Sequence, residues 1–291
     1  MHLALIGTGL IGASAAWAMK KRGVVDSVAA FDLSHENARR AVQMGIADRA
    51  CTSLEECVTG ADCVVAAVPV LAIERVLHEA SPFLADNTLI TDVGSVRGIV
   101  IDGARRALGE KFGNYAAVHP IAGGEMPGVA YADPDLFVGA RAISTPVSET
   151  SERALSFWEN AWTRIGSKLS RMSPEEHDAV FASVSHLPHL LSFAMVDSIL
   201  NTGEAERKLS LAGAGFRDFT RIAASSPEMW VDIFKANKKA VLEALDYFEK
   251  DLTILRRAVE DDDVEVERAL FARAAEARRR IAAHLPKPKK A

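Results

Sequence analysis

Six residues near the N-terminus, Gly7-Thr8-Gly9-Leu10-Ile11-Gly12, match G-x-G-x-x-G and sit between an apolar run at 2–6 and an alanine-rich helical stretch. A glycine loop in that setting points to the first turn of a Rossmann-type βαβ unit, which binds a dinucleotide. Gly7 allows the tight turn, Gly9 lets backbone approach a pyrophosphate, and Gly12 lets helix pack closely on strand. The helix N-terminus offers its unpaired N–H groups to the anion. Asp32 ends the second apolar run, at the spacing where an acid accepts hydrogen bonds from ribose hydroxyls. A 2′-phosphate would face that carboxylate, and Leu33 and Ser34 follow it rather than an arginine, so NAD is expected over NADP. An Arg39 or Arg40 swinging in would weaken that preference. Thr8, Leu10, Ile11 and Val68, the last at the end of the run 63–68, complete the expected cofactor contacts.

Up to residue 172, short apolar runs at 2–6, 28–31, 63–68, 88–91, 115–118 and 141–144 alternate with amphipathic stretches. That rhythm predicts a mainly parallel sheet. Ser34, and Ser53 with Glu56 at capping-box spacing, read as helix starts, and Gly45 as a stop. Beyond 172 the β rhythm ends, and Ser173-Pro174-Glu175-Glu176 supplies a cap, a first-turn proline and a reciprocal acid before a long helical segment. The expected organisation is α/β, with a Rossmann domain over 1–172 and an all-helical domain over 173–291 for substrate binding and dimerisation. Val241, Leu245, Phe248, Leu252, Leu255 and Val259 recur at alternating four- and three-residue steps, a seam for a helix of the same chain or of a second subunit. Glu260 to Asp263 break the seam, and a last amphipathic helix is expected over 264–283.

Composition narrows the partners. A chain of 291 residues, 49% hydrophobic and 25% charged, has room for one large domain or two ordinary ones. Its net charge of -5 gives no general attraction to nucleic acid or an anionic membrane, and Lys287, Lys289 and Lys290 read as a frayed basic end. An anionic small-molecule substrate therefore needs a local cationic pocket. Cys51, Cys57 and Cys63 form no C-x-x-C pair, so neither a disulfide framework nor a thiolate zinc site is suggested, and a reducing cytoplasm fits. Residues 3–19 are apolar, but three glycines interrupt them and no basic region precedes them, unlike a signal peptide or membrane span.

Removing hydride from an alcohol carbon requires a group that takes the hydroxyl proton. His119 follows the apolar run 115–118, placing it at the edge of the sheet where ligands gather. Such a histidine alone serves structure as readily as chemistry; the following Pro120-Ile121-Ala122-Gly123-Gly124-Glu125 is a turn that brings backbone close to a substrate. Five ordered motifs then carry a resemblance: GTGLIG at 7–12, Thr91-Asp92-Val93-Gly94-Ser95-Val96, His119-Pro120-Ile121-Ala122-Gly123, Ser185-His186-Leu187-Pro188-His189, and Gly215-Phe216-Arg217-Asp218-Phe219-Thr220-Arg221-Ile222-Ala223. Over nearly its whole length the chain resembles the prephenate/arogenate dehydrogenase family, which makes the tyrosine precursor.

The resemblance implies NAD-dependent oxidative decarboxylation, with His119 bonded to the ring C4 hydroxyl as hydride leaves C4. Ser95 would link that hydroxyl, the histidine and the nicotinamide end. Arg221 would bind the ring carboxylate that leaves as carbon dioxide, and His189 and Ser185 would line the side-chain end of the pocket. Arg217 and Trp230 match positions the family contributes from the neighbouring subunit of an intertwined homodimer. Gly124 departs from the threonine or serine of many relatives, so feedback binding of tyrosine is not carried over.

Physical chemistry gives blander readings of the same residues. Arg221 could be a surface helix-end ion pair, Ser95 a loop or cap serine, and Trp230 a core or interface aromatic. Against that, an anionic substrate needs a cation, and an arginine–carboxylate contact is worth about 1.5–3 kcal/mol. His186 and His189 stand i, i+3, a spacing that on a regular helix could ligate zinc with His177 or His119. Pro188 between them argues for a kinked segment instead, and no metal is expected. Two other functions share the cofactor half. A different two-domain hydroxyacid dehydrogenase would depend on a lysine base, which the motifs around His119 disfavour. A non-catalytic NAD sensor would have no use for the set His119, Ser95 and Arg221.

Overall fold

The sheet that carries the glycine loop has four short strands buried on both faces, the signature of parallel pairing under helices, and a two-residue edge strand that is not. β1 (His2–Ile6), β2 (Ser27–Phe31), β3 (Arg49–Ala50), β4 (Cys63–Ala66) and β5 (Leu89–Asp92) pair in parallel in the order β3-β2-β1-β4-β5. The computed structural model describes residues 1–124 and 126–282; Glu125 and the basic end with Lys287, Lys289 and Lys290 lie outside the described residues. Ile6 is level with Phe31 on one side and with Ala66 on the other. The chain therefore leaves β1, β2 and β4 at one edge, bringing Gly7, Asp32 and Ala67 together.

Helices α1 (Leu10–Lys21), α2 (His35–Gln43), α3 (Leu54–Val58), α4 (Ile73–Ala80), α5 (Gly98–Leu108) and α6 (Glu152–Arg164) alternate with the strands. Ala13, Ala15, Ala16 and Ala18 of α1 are fully buried, and side chains this small let the helix lie close on the sheet. Ser53 accepts from the Glu56 amide as expected, although the Glu56 carboxylate turns back to Thr52 rather than to Ser53. Gly45 ends α2 with φ +73°. Ser34 precedes α2 as expected, although its side chain makes no capping hydrogen bond.

The later strands differ from the expected pattern. The strand predicted at 115–118 is displaced: Tyr115 only bridges Ile90 beside β5, and the chain then turns away into β6 (Val118–Ile121). β6 runs antiparallel to β7 (Arg141–Ser144), which runs parallel to β8 (Lys168–Arg171), forming a separate three-stranded sheet. His119 thus lies within a strand, opposite Ile143, rather than beyond the end of a parallel strand. Trp158 and Trp162 of α6 are fully buried, and Trp162 meets Phe137 edge-on with centroids 5.1 Å apart.

After β8 the fold is helical. α7 (Pro174–Phe181) starts with the Ser173 hydroxyl accepting from the Glu176 amide at 3.1 Å. A π turn at Ala182–His186 joins it to α8 (Leu187–Leu200), with Pro188 in the first turn of α8. The irregularity expected from Pro188 is this π turn, and 174–200 remains one helix, long and apolar enough to cross a membrane by length and composition alone, with mean hydropathy 1.5. α9 (Ala205–Ser210), α10 (Ala214–Thr220) and α11 (Pro227–Ala236) follow. One compact unit spans Met1–Lys238, so the change of rhythm at 172 falls within it; a second spans Lys239–Ala291. The second unit is built from α12 (Lys238–Glu260) and α13 (Val264–Ile281), with Asp263 capping α13. Of the seam on α12, Val241 is buried while Leu252 and Val259 are exposed.

The glycine loop gives a direct test of this packing. A Cβ on Gly12 would collide with the Gly7 carbonyl and with Ala67, whereas a Cβ on Gly9 meets nothing within 4 Å. Gly12→Ala should lose about 1–3 kcal/mol of stability, read by denaturant unfolding. Gly9→Ala should unfold like the wild type yet bind dinucleotide more weakly; equal stability of the two variants would contradict the packing role of Gly12.

Candidate active site

At the common edge of β1, β2 and β4, Gly7 turns with φ +93°, a conformation that favours glycine. Its amide donates to the Phe31 carbonyl at 2.8 Å, tying the loop to β2. α1 begins after Gly9 with no side-chain cap, and a Cβ placed on Gly9 meets nothing within 4 Å. Fully buried Thr8 gives both its amide and its hydroxyl to Asp32, at 2.8 and 2.9 Å. Asp32 also accepts from the Ser34 amide at 2.9 Å. Its carboxylate is thus fixed beside the loop. Arg39 and Arg40 are both exposed on α2, and Val68 lies next to Gly7, close enough to touch a Cβ placed there.

The loop after β5 carries Ser95 and is clamped from below. The Arg97 guanidinium reaches back to Asp92 with two hydrogen bonds, 2.7 and 3.0 Å, and also donates to the Gly94 carbonyl. The Asp92 carboxylate accepts further from the Gly94 amide at 2.7 Å and from the Tyr115 hydroxyl. Arg97 and Asp92 are fully buried. Ser95, half-buried, stands on the loop they fix.

His119 meets the helical half through a second histidine. Its Nδ1 lies 2.8 Å from Nε2 of His177, and the His177 Nδ1 lies 2.9 Å from the Asp178 carboxylate. Phe181 packs on both rings, with centroids 5.0 Å from His119 and 4.4 Å from His177. The same carboxylate accepts the amides of Arg97 and Gly98, at 2.8 and 2.9 Å, at the start of α5. Burial pushes His119 well below the usual histidine range, and the neighbouring His177, Arg97 and His186 charges add to it. Burial also lowers His177, and it lowers His186 to about 4. Asn237 donates to the Asp178 carbonyl at 2.8 Å and sits 3.1 Å from Nδ1 of His186.

The π turn sets which residues share this face. A π turn adds one residue to a helical circuit, so His186 stays buried on the side of His177 and Phe181, and His189 follows on it. His189 stacks on Trp230 with centroids 3.7 Å apart, and its Nδ1 donates to the Ser185 carbonyl at 2.8 Å. Burial lowers His189, and the nearby Arg221 charge lowers it further. Trp230 reaches this place on α11 of the same chain. Arg217 lies out in solvent, paired with Asp218 at 3.3 Å. The nitrogens that face each other in the His119–His177 pair are joined to one another, and no group of three His, Cys, Asp or Glu side chains that could hold a metal occurs among the described residues. Sequence reasoning singled out neither Asp178 as part of the site nor His177 as other than a possible zinc ligand, and it missed the Asp92–Arg97 clamp. An acid directly after a histidine, in a helix that also carries the SHLPH motif, was the available signal.

Two family models cover the chain. One described as "Prephenate dehydrogenase, nucleotide-binding domain" matches residues 15–171, and one described as "Prephenate dehydrogenase, dimerization domain" matches 173–273. The chain belongs to the prephenate dehydrogenase family. Cyclohexadienyl dehydrogenase of Zymomonas mobilis is 35% identical over 266 residues, 90% of this chain and 89% of that one. Prephenate dehydrogenase of Bacillus subtilis is 36% identical over 269 residues, 90% of this chain and 71% of that one. The crystal structure of A. aeolicus prephenate dehydrogenase in complex with hydroxyphenyl propionate and NAD+ matches with a TM-score of 0.88 at 34% identity, covering 95% of this chain and 97% of that one. The family read from the five motifs is therefore the right one, and the chain is a dehydrogenase.

The buried histidines carry a pH signature. A histidine held neutral in the folded state takes up a proton on unfolding once the pH drops below its unfolded value, about 6.5. Its contribution is present above that pH and is lost as pH falls toward the depressed folded value, which for His186 is about 4. Through His186, unfolding free energy should fall between pH 6.5 and about 4 by up to about 1.4 kcal/mol per pH unit, and the other lowered histidines act in the same direction. Denaturant titrations across this window check it, and a flat profile would contradict the burial of neutral rings.

Proposed function

We propose that this chain catalyses the oxidative decarboxylation of prephenate or arogenate, giving 4-hydroxyphenylpyruvate or tyrosine with carbon dioxide and NADH. The observation that carries the reading is His119: neutral, buried, held by Nδ1 against His177, and therefore with Nε2 as its remaining ring nitrogen. NAD is the cofactor and, when bound, takes the hydride leaving C4 of the substrate ring. The amides of Gly9, Leu10 and Ile11 at the start of α1 hold its pyrophosphate, Asp32 its adenosine ribose, and Thr8, Gly7, Gly12 and Val68 shape that cradle. The Asp32 carboxylate, already placed by Thr8, favours NAD over NADP. His119 Nε2 takes the proton of the C4 hydroxyl, and Ser95 orients that hydroxyl and the nicotinamide end. Arg221 binds the ring carboxylate until it departs, and aromatisation of the ring drives its loss. Ser185, His189 and Trp230 line the side-chain end, and Arg217 reaches toward the site of a partner subunit. In this division of labour residues 1–172 hold the cofactor, while 173–291 hold the substrate and the dimer contacts.

Relatives carry the names cyclohexadienyl and prephenate dehydrogenase, so both a keto and an amino side chain belong among the candidates. NADH absorbance on adding prephenate, and then arogenate, to protein with NAD tests the reading, and silence with both would sink it. His119→Asn should lower kcat by about 10²–10⁴. Arg221→Ala should chiefly raise KM, by about 10- to 100-fold for a charge-assisted contact.

The protein works as a homodimer in this reading. Met195 and Leu200 of α8 are exposed, as are Leu252, Val259 and Phe271 of the second unit, and the matching family model is described as a dimerization domain. Light scattering should give twice the mass of one chain; a monomer at micromolar concentration would contradict it. The free, buried cysteines fit a reducing cytoplasm.

A further inference from the structure

We infer that Asp178 is the positioning residue of the reaction: through His177 it sets the tautomer of His119, and through the Arg97 and Gly98 amides it fixes the loop that carries Ser95. This rests on His119 being the proton acceptor. The argument follows the donors along the chain of contacts. An ionised carboxylate only accepts, so the His177 Nδ1, 2.9 Å from Asp178, carries a hydrogen. A neutral imidazole has one N–H, so Nε2 of His177 is then an acceptor. His119 Nδ1, 2.8 Å from that nitrogen, must therefore be the donor. The hydrogen of His119 sits on Nδ1, and its Nε2 is left with a lone pair, the form required of a base. With the opposite tautomer His119 would present an N–H to the substrate hydroxyl and could not take its proton.

The ionisation states agree with this assignment. Burial works to raise the Asp178 carboxyl, but hydrogen bonds from His177 and from the Arg97 and Gly98 amides outweigh it and hold it below its ordinary value. Burial keeps His177 neutral against the pull of Asp178. The charged and titratable groups around the pair are Arg97 and Asp92 from the β5 loop, and His186 and Asp178 from the helix 174–200. Asp178 also accounts for both ends of its own hydrogen bonding: one oxygen takes the Arg97 amide and the His177 ring, the other takes the Gly98 amide. Tautomer and loop are set by one side chain. In serine hydrolases an aspartate holds a catalytic histidine in the working tautomer directly; here a second imidazole is interposed.

Nitrogen-15 correlation spectra of histidine-labelled free protein report the tautomer without any turnover. The wild type should show His119 protonated at Nδ1 and bare at Nε2, with assignment from the spectrum of His119→Asn. In Asp178→Asn the His119 signals should move toward a mixture of tautomers, and kcat should fall by about 10- to 100-fold while KM changes by less than about twofold. His177→Phe keeps ring volume against Phe181 and removes the link, so it should lower kcat in the same way with a folded circular dichroism spectrum. A wild-type His119 protonated at Nε2 overturns the tautomer assignment. Unchanged His119 signals in both variants overturn the role of Asp178 and His177. Failure of the underlying base reading would show separately, as full activity in His119→Asn.

Discussion

A desolvated ion pair, Arg97 on Asp92, holds the centre of this protein in place. Removing both charges from water is costly, and the cost is offset only because each oxygen of Asp92 and two of the guanidinium nitrogens are satisfied at short range. The result is geometric. The pair closes the loop between β5 and α5 onto itself, and Ser95 stands on that tied loop. Tyr115 joins the same carboxylate from the point where the chain leaves the parallel sheet. The segment leading to His119 and the loop holding Ser95 are thus referenced to one buried group.

From that centre, polar side chains reach the helical half alongside apolar packing, in which Trp230 and Ile233 join the core that holds Ile73 and Val96. Asp178 ties the start of α5 to α7, Asn237 ties Asp178 to His186, and Ser192 donates to the Phe219 carbonyl at 3.2 Å. His189 and Ser185 share the helix 174–200 with Asp178 and His186.

What could be read from the residues alone was whatever depends on neighbours in the chain. The turn at Gly7, the open approach at Gly9 and the close packing at Gly12 are local demands, and the structure shows each of the three geometries. Helix starts at Ser53 and Ser173 were legible for the same reason. The direction of β6 was not, because alternation of apolar residues is identical for parallel and antiparallel strands, and nothing local says that the chain leaves one sheet at Tyr115 and joins another at Val118. The link from His119 to His177 joins residues distant in sequence. His177 looks like an ordinary polar residue on an apolar helix until the fold brings it to 2.8 Å from His119 in β6.

The π turn at Ala182–His186 divides the helix 174–200 into two rotational frames separated by a single surplus residue. Upstream, the inward face is counted from His177 and Phe181; downstream, from His186 and His189. Deleting one residue from the turn would restore an ideal helix while swinging every downstream side chain by about 100°, carrying His189 away from Trp230 and leaving His177 beside His119. The irregularity therefore works as a phase adjuster: it lets one continuous helix set His177 beside His119 with its first half and His189 beside Trp230 with its second.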